Sequence, residues 1–127
     1  MALHIISPAA ELDIDSILAW TEERFGEQGR LRYEALLIRA ILDVADDPQR
    51  LGSCSRPEIA AAARTYHLSN SRDCVDSAIG RGRHPRHLLL YRSLEDGRLE
   101  IGRILHERMD IAQHLPSEYR SKTTKEE

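Results

Sequence analysis

The sequence is short of lysine and of cysteine, and each shortage removes a kind of chemistry. Of its 18 basic residues only Lys122 and Lys125 are lysines, and both lie at the far end of the chain. A nuclease that depends on a lysine base in its folded body is therefore excluded. The two cysteines, Cys54 and Cys74, form no CxxC pair. Reduced thiols in a cytoplasmic protein are the plain expectation. No apolar run approaches the roughly 18 residues of a membrane span, so no membrane association is expected. Met1 runs directly into Ala2-Leu3-His4-Ile5-Ile6 without a basic head or a cleavage site, and no signal peptide is expected. Glycine-rich phosphate loops, nucleophile elbows, metal-protease motifs and internal repeats are all missing. Cys54, Cys74, His67, His84 and His87 can be drawn as a zinc set. Their spacing is irregular beside the compact spacings of true sites, so no metal and no cofactor is expected.

What is present is a chain of 127 residues, 41% hydrophobic, which is enough for one core and one domain. Its net charge of −3 conceals a split. Residues 1–63 carry six arginines against eleven acids, whereas residues 64–108 carry nine arginines against six acids, with four histidines besides. An acidic half followed by an arginine-rich half suggests different partners for two faces. Two ordinary solvated surfaces would give the same charges.

In chain order, residues 3–7 read as a short strand. Ser7-Pro8 then opens a helix, serine as N-cap and proline at the first helical position. Glu11, Asp13 and Asp15 follow, where the helix dipole favours acids. Leu12, Ile14, Ile17, Leu18, Trp20 and Phe25 form an apolar stripe, and residues 26–29, with a glycine at each end, end the helix. A second helix is expected from Arg30 to Asp46. Leu31, Ala35, Ile38, Leu42 and Ala45 mark its face, and Leu37, Ile41 and Val44 widen it. Pro48 stops it. The two helices should pack as an antiparallel hairpin.

Residues 57–63 suit one or two helical turns, and residues 64–68 a strand ended by Ser69-Asn70-Ser71, while residues 72–85 read as a long loop or an irregular strand extension. Residues 86–92 and 99–106 read as strands joined by a turn at Glu95-Asp96-Gly97, a strong hairpin signal. Strict alternation would point Leu99, Ile101 and Arg103 one way, and Glu100, Gly102 and Ile104 the other. Residues 107–115 could form a short C-terminal helix. The expected fold is α+β: an N-terminal strand, then an antiparallel helical hairpin on one face of a small, mainly antiparallel sheet. The domain should span residues 1–116, with a polar, flexible tail at 117–127. The other sheet face is expected to stand open and carry the chemistry.

Several of these residues, in this order, resemble the ParE branch of the RelE/ParE toxins of bacterial toxin–antitoxin systems. The carriers are Ser7-Pro8-Ala9-Ala10 with Leu12 and Ile17, Pro48 with Leu51-Gly52, Arg64, and His87 with Tyr91-Arg92. Ile101-Gly102-Arg103-Ile104-Leu105-His106 and Arg108-Met109-Asp110 complete the set. The residue 69–85 segment departs from compact members, which have a tighter turn there. The resemblance implies a toxin neutralised by a ParD-like antitoxin and acting by inhibition of DNA gyrase. It implies an antitoxin surface, for which the candidates are Trp20, Tyr33 and Leu37. It also implies a target surface, with candidates Arg64, Arg92, Arg103, His106 and Arg108.

The competing readings are a RelE-like messenger-RNA endonuclease at the ribosome and a non-toxic binding module. A nuclease needs cations for a phosphorane-like transition state and groups that move protons. Arg64, Arg92 and Arg103 could supply the first and His106 or His87 the second, with Glu58 and Glu100 as further acid–base candidates. The plainer role for sheet arginines is structural: Arg103 with Asp110 or Glu107, and Arg92 with Glu100.

Overall fold

The computed structural model describes residues 4–74, 85–116 and 119. Strand β1 (His4–Ile6) runs into Ser7, which joins sheet to helix twice over. Its hydroxyl accepts the Ala10 N–H at 3.0 Å and donates to the Gly102 carbonyl at 2.7 Å. With Pro8 in the first turn, this cap starts α1 (Pro8–Asp46).

The expected pair of helices joined by a glycine turn is instead one element bent at a single residue. Gly26 takes φ 79° and ψ −179°, and helical geometry resumes at Glu27. Only glycine enters that region without steric cost, which is why the bend sits there. Contacts with the sheet show that the two limbs run in opposite directions. Ser7 and Asp13 meet β5 at Gly102 and Ile104, before the bend. After it, Tyr33 meets His87 at one end of β4 and Pro48 meets Tyr91 towards the other. Glu22 and Arg30 pair across the bend at 3.0 Å.

The remaining strands are β2 (Ser53–Ser55), β3 (Arg64–His67), β4 (His87–Ser93) and β5 (Leu99–His106). They form a five-stranded sheet in the order β1-β5-β4-β3-β2, parallel only between β1 and β5. The β4–β5 turn closes through Leu94 N–H to the Arg98 carbonyl at 2.7 Å, with Gly97 at φ 90°. Residues 57–63 form turns closed by Arg56 and Ala63, not helical turns. Short 3-10 segments, η1 (Leu68–Cys74) and η2 (Ile111–His114), replace part of the expected loop and the expected C-terminal helix. The rest of the 69–85 segment, up to His84, lies outside the described residues, as does the 117–127 tail apart from Tyr119.

A β-bulge decides which face each β5 residue occupies. Leu90 pairs with Arg103 but Tyr91 pairs with Ile101, so Gly102 is the extra residue. Alternation is reset there. Leu99, Ile101 and Ile104 all pack against α1, whereas Arg103 turns to the opposite face with Glu100. The expected grouping of Arg103 with Leu99 and Ile101 fails for this reason.

Both faces of the sheet are covered. On one, Leu36, Leu37, Ala40, Ile41, Val44 and Ala45 of α1 pack on Tyr66, Leu89, Tyr91, Leu99, Ile101 and Ile104. On the other, Leu90 is closed over by Ala60, Ala63 and Tyr119, with Ile59, Ile111 and Leu115 alongside. The expectation of an open face is thus overturned. The chain's own loop 56–63 and its C-terminal segment fill that side.

Candidate functional site

Two surfaces hold the sequence-predicted residues: the outer side of α1, and the arginine-bearing face and end of the sheet. On α1, the buried centre falls on Leu36, Leu37, Ala40, Ile41 and Val44. That phase leaves Leu31 and Ile38 on the outside at 39% and 52% exposure, although the sequence suggested an inward stripe. Leu12, Trp20 and Phe25 are likewise exposed, not inward. Trp20 meets the Phe25 edge with ring centroids 6.2 Å apart, and the Arg24 guanidinium lies 4.9 Å from its centroid. α1 thus presents large apolar side chains to solvent among nine carboxylates and four arginines.

Of the three predicted antitoxin contacts, only Trp20 stands in solvent. Leu37 is buried in the core. Tyr33 is partly buried, and its hydroxyl meets His87 Nδ1 at 2.7 Å. The signal for Leu12 and Ile38 was in the sequence, but a face widened by Leu37, Ile41 and Val44 has no unique centre. Only packing against the sheet selects one.

The predicted target residues are not gathered into one site. Arg64 donates to Ser53 Oγ at 2.7 Å on the α1 side. Arg92 and Arg103 lie on the other face and are both engaged. Arg92 pairs with Glu100 at 2.7 Å, as the plainer reading anticipated, and its guanidinium lies 4.2 Å from the Tyr119 ring centroid. Arg103 pairs with Asp13, not with Asp110 or Glu107. It bonds both carboxylate oxygens, at 2.7 and 2.9 Å, and reaches the His114 carbonyl at 2.9 Å. These bonds also hold its guanidinium pKa above the ordinary arginine value. Arg108 is exposed and makes no side-chain hydrogen bond or ion pair with the described residues. Glu58 pairs with Arg56 at 3.5 Å on the 56–63 loop.

At the end of the hairpin the chain assembles a cluster that sequence reasoning had only in part. His87 and His106 are register partners, with ring centroids 5.5 Å apart. The Tyr33 oxygen, hydrogen-bonded to His87 Nδ1, also accepts the Arg86 N–H at 3.4 Å. His87 is thus held between the Tyr33 hydroxyl and the His106 ring. Burial chiefly, helped by the nearby His106 and His67, pushes its pKa down to about 4. Burial likewise pushes Tyr33 up to about 12.

His106 Nδ1 accepts the Arg108 N–H at 3.1 Å. His67 accepts the Ser69 N–H on Nδ1, so Nε2 donates to Glu107 at 2.8 Å. That bond, with one from Arg86 at 3.1 Å, holds the Glu107 carboxyl below the usual range. Two of the drawn zinc ligands, His67 and His87, are thus otherwise engaged. Cys54 is on the edge strand β2, and the Cys74 and His84 side chains lie outside the described residues. Among the described residues, no three His, Cys, Asp or Glu side chains gather as a metal site.

A bent helix on a five-stranded sheet, with Arg92 and Arg103 engaged internally and apolar groups exposed on the helix, makes a small α+β domain. No helix among the described residues is long and apolar enough to cross a membrane. The family model described as ParE toxin of type II toxin–antitoxin system, parDE, matches residues 5–111. The chain belongs to that family. It is similar to Toxin ParE1 of Mycobacterium tuberculosis, strains CDC 1551 / Oshkosh and ATCC 25618 / H37Rv. Identity to each is 27% over 112 residues, covering 88% of this chain and 96% of the relative.

Proposed function

We propose that a cognate ParD-like antitoxin neutralises this toxin by seating apolar side chains on the outer side of α1, and that the released toxin inhibits DNA gyrase. The observation that carries the docking surface is the exposure of Leu12, Trp20, Phe25, Leu31 and Ile38 on one element. Aromatic and aliphatic anchors within a polar surround are what interfaces use. The surrounding carboxylates favour a partner segment that carries basic residues. Gyrase is favoured over RNA cleavage because Arg92 and Arg103, two of the cations a nuclease would need, hold internal partners.

The test is induced expression with and without the neighbouring small open reading frame, followed by assays on the purified chain. Growth arrest relieved by that partner, with loss of gyrase supercoiling or trapped cleavage complexes, supports the reading. Messenger RNA cut at ribosomes, with gyrase unaffected, overturns the gyrase target. Unimpaired growth without the partner overturns the toxin reading.

A further inference from the structure

We propose that Arg24 is a positioning and selecting residue of the docking surface: it holds the Trp20 ring ready for the partner and keeps basic side chains away from it. The selecting role rests on the proposed function; the positioning does not.

The bend in α1 decides which charges are taken. Arg30, just past Gly26, holds Glu22 at 3.0 Å and Glu34 at 3.3 Å. Residues 22–28 are all exposed, and they carry three carboxylates, Glu22, Glu23 and Glu27, around a single cation. That cation is Arg24. Among the described residues it pairs with no carboxylate, although three lie within three positions of it in the chain. It reaches back one helical turn instead, to Trp20, because residues four apart share a helix face. The guanidinium covers the ring from one side, and the Phe25 ring meets it edge-on with 69° between the planes.

Trp20 is 50% exposed. A large ring so open to water would move among rotamers, and ordering it on binding would cost affinity. Arg24 and Phe25 do that ordering in advance, and an indole is the ring that holds a cation best. With one face taken, the open side of the ring is left for an apolar anchor. A lysine or arginine brought there would meet Arg24 at close range, whereas carboxylates elsewhere on α1 attract it. The surface thus favours basic residues along most of α1 and rejects them at Trp20. A partner with a carboxylate beside its apolar anchor fits both Arg24 and the ring, and this reversal of sign fixes which segment is accepted.

Trp20 is the single tryptophan of the chain, so its fluorescence reports this ring alone. In the full-length toxin separated from its antitoxin, Arg24→Gln should enlarge the fast component of the anisotropy decay. Isothermal titration with the co-purified antitoxin should show affinity falling about fivefold in Arg24→Gln. Arg24→Lys keeps a cation for the ring and should stay within about twofold of the parent. Arg24→Glu should lose about tenfold, and less at high salt. Melting temperatures should hold, because Arg24 is exposed. An unchanged anisotropy decay in Arg24→Gln overturns the positioning role. Equal or tighter binding by Arg24→Glu overturns the selecting role. Trp20→Ala in the same titration separates this inference from the reading beneath it. If that variant binds like the parent, the docking surface falls and the selecting role with it, while the anisotropy decay still decides the positioning.

Discussion

Asp13 closes the outer edge of the sheet by holding Arg103 with both carboxylate oxygens, and one of these also accepts the Ile104 N–H at 2.9 Å. β1 is too short to cover β5 at that point, so a helix carboxylate takes over from the missing strand. The two side chains are 15% and 22% exposed. Removing Asp13 would strand a partly buried guanidinium and a backbone donor together. Asp13→Ala should therefore destabilise the fold by about 2–3 kcal/mol. The double variant with Arg103→Ala should cost less than the two singles combined. Chemical denaturation of the four proteins checks this, and strict additivity would show that the pair is not coupled.

The neutral His87 makes stability depend on pH with a definite sign. Its folded pKa of about 4 lies below its ordinary 6.5, so the unfolded chain binds the proton first as pH falls. The stabilisation is complete above about 6.5 and is lost down to about 4. With allowance for partial exposure, the loss is about 2 kcal/mol. Glu107, held low by His67 and Arg86, changes stability in the same direction at lower pH. His87→Asn keeps an acceptor for Tyr33 and removes the titration. Urea melts at pH 7 and pH 4.5 should show a smaller difference for the variant than for the parent.

Trp20 is exposed and aromatic, so its loss should act on binding and spare the fold. Trp20→Ala should weaken the complex with the co-purified antitoxin by tenfold or more, the order of 1.4 kcal/mol or above. The melting temperature should shift little. Isothermal titration beside thermal melts separates the two effects.

Leu37 should behave in the opposite way, because it is buried between α1 and the sheet. Leu37→Ala should cost about 2–5 kcal/mol of stability through the cavity it leaves. Antitoxin affinity per folded molecule should change little. A large affinity loss in a fully folded Leu37→Ala protein would place that side chain at the interface after all.

Much of the architecture was legible from local signals. Ser7-Pro8 marked a helix start, Pro48 its end, and Asp96-Gly97 a hairpin, because capping and turn geometry are decided by the few residues involved. The strand at residues 99–106 was legible for the same reason. β2 was not, since Ser53, Cys54 and Ser55 carry no apolar alternation and pair only because β3 lies beside them. The facing of Arg103 was misread because a bulge leaves no mark beyond one glycine. Its partner Asp13 lies 90 residues away, beyond any local pattern. The histidine cluster was half visible as residue types, but Tyr33 joined it only through the return of α1 across the sheet.

Among the described residues, the only parallel pairing in the sheet joins its earliest strand to its latest. β1 cannot be seated until β5 exists, and the Ser7–Gly102 bond spans 95 residues. During synthesis, α1 would therefore wait with an uncovered apolar side while most of the chain is made. Closure across so long a loop favours slow folding, so the rate of refolding is set at the two ends of the chain.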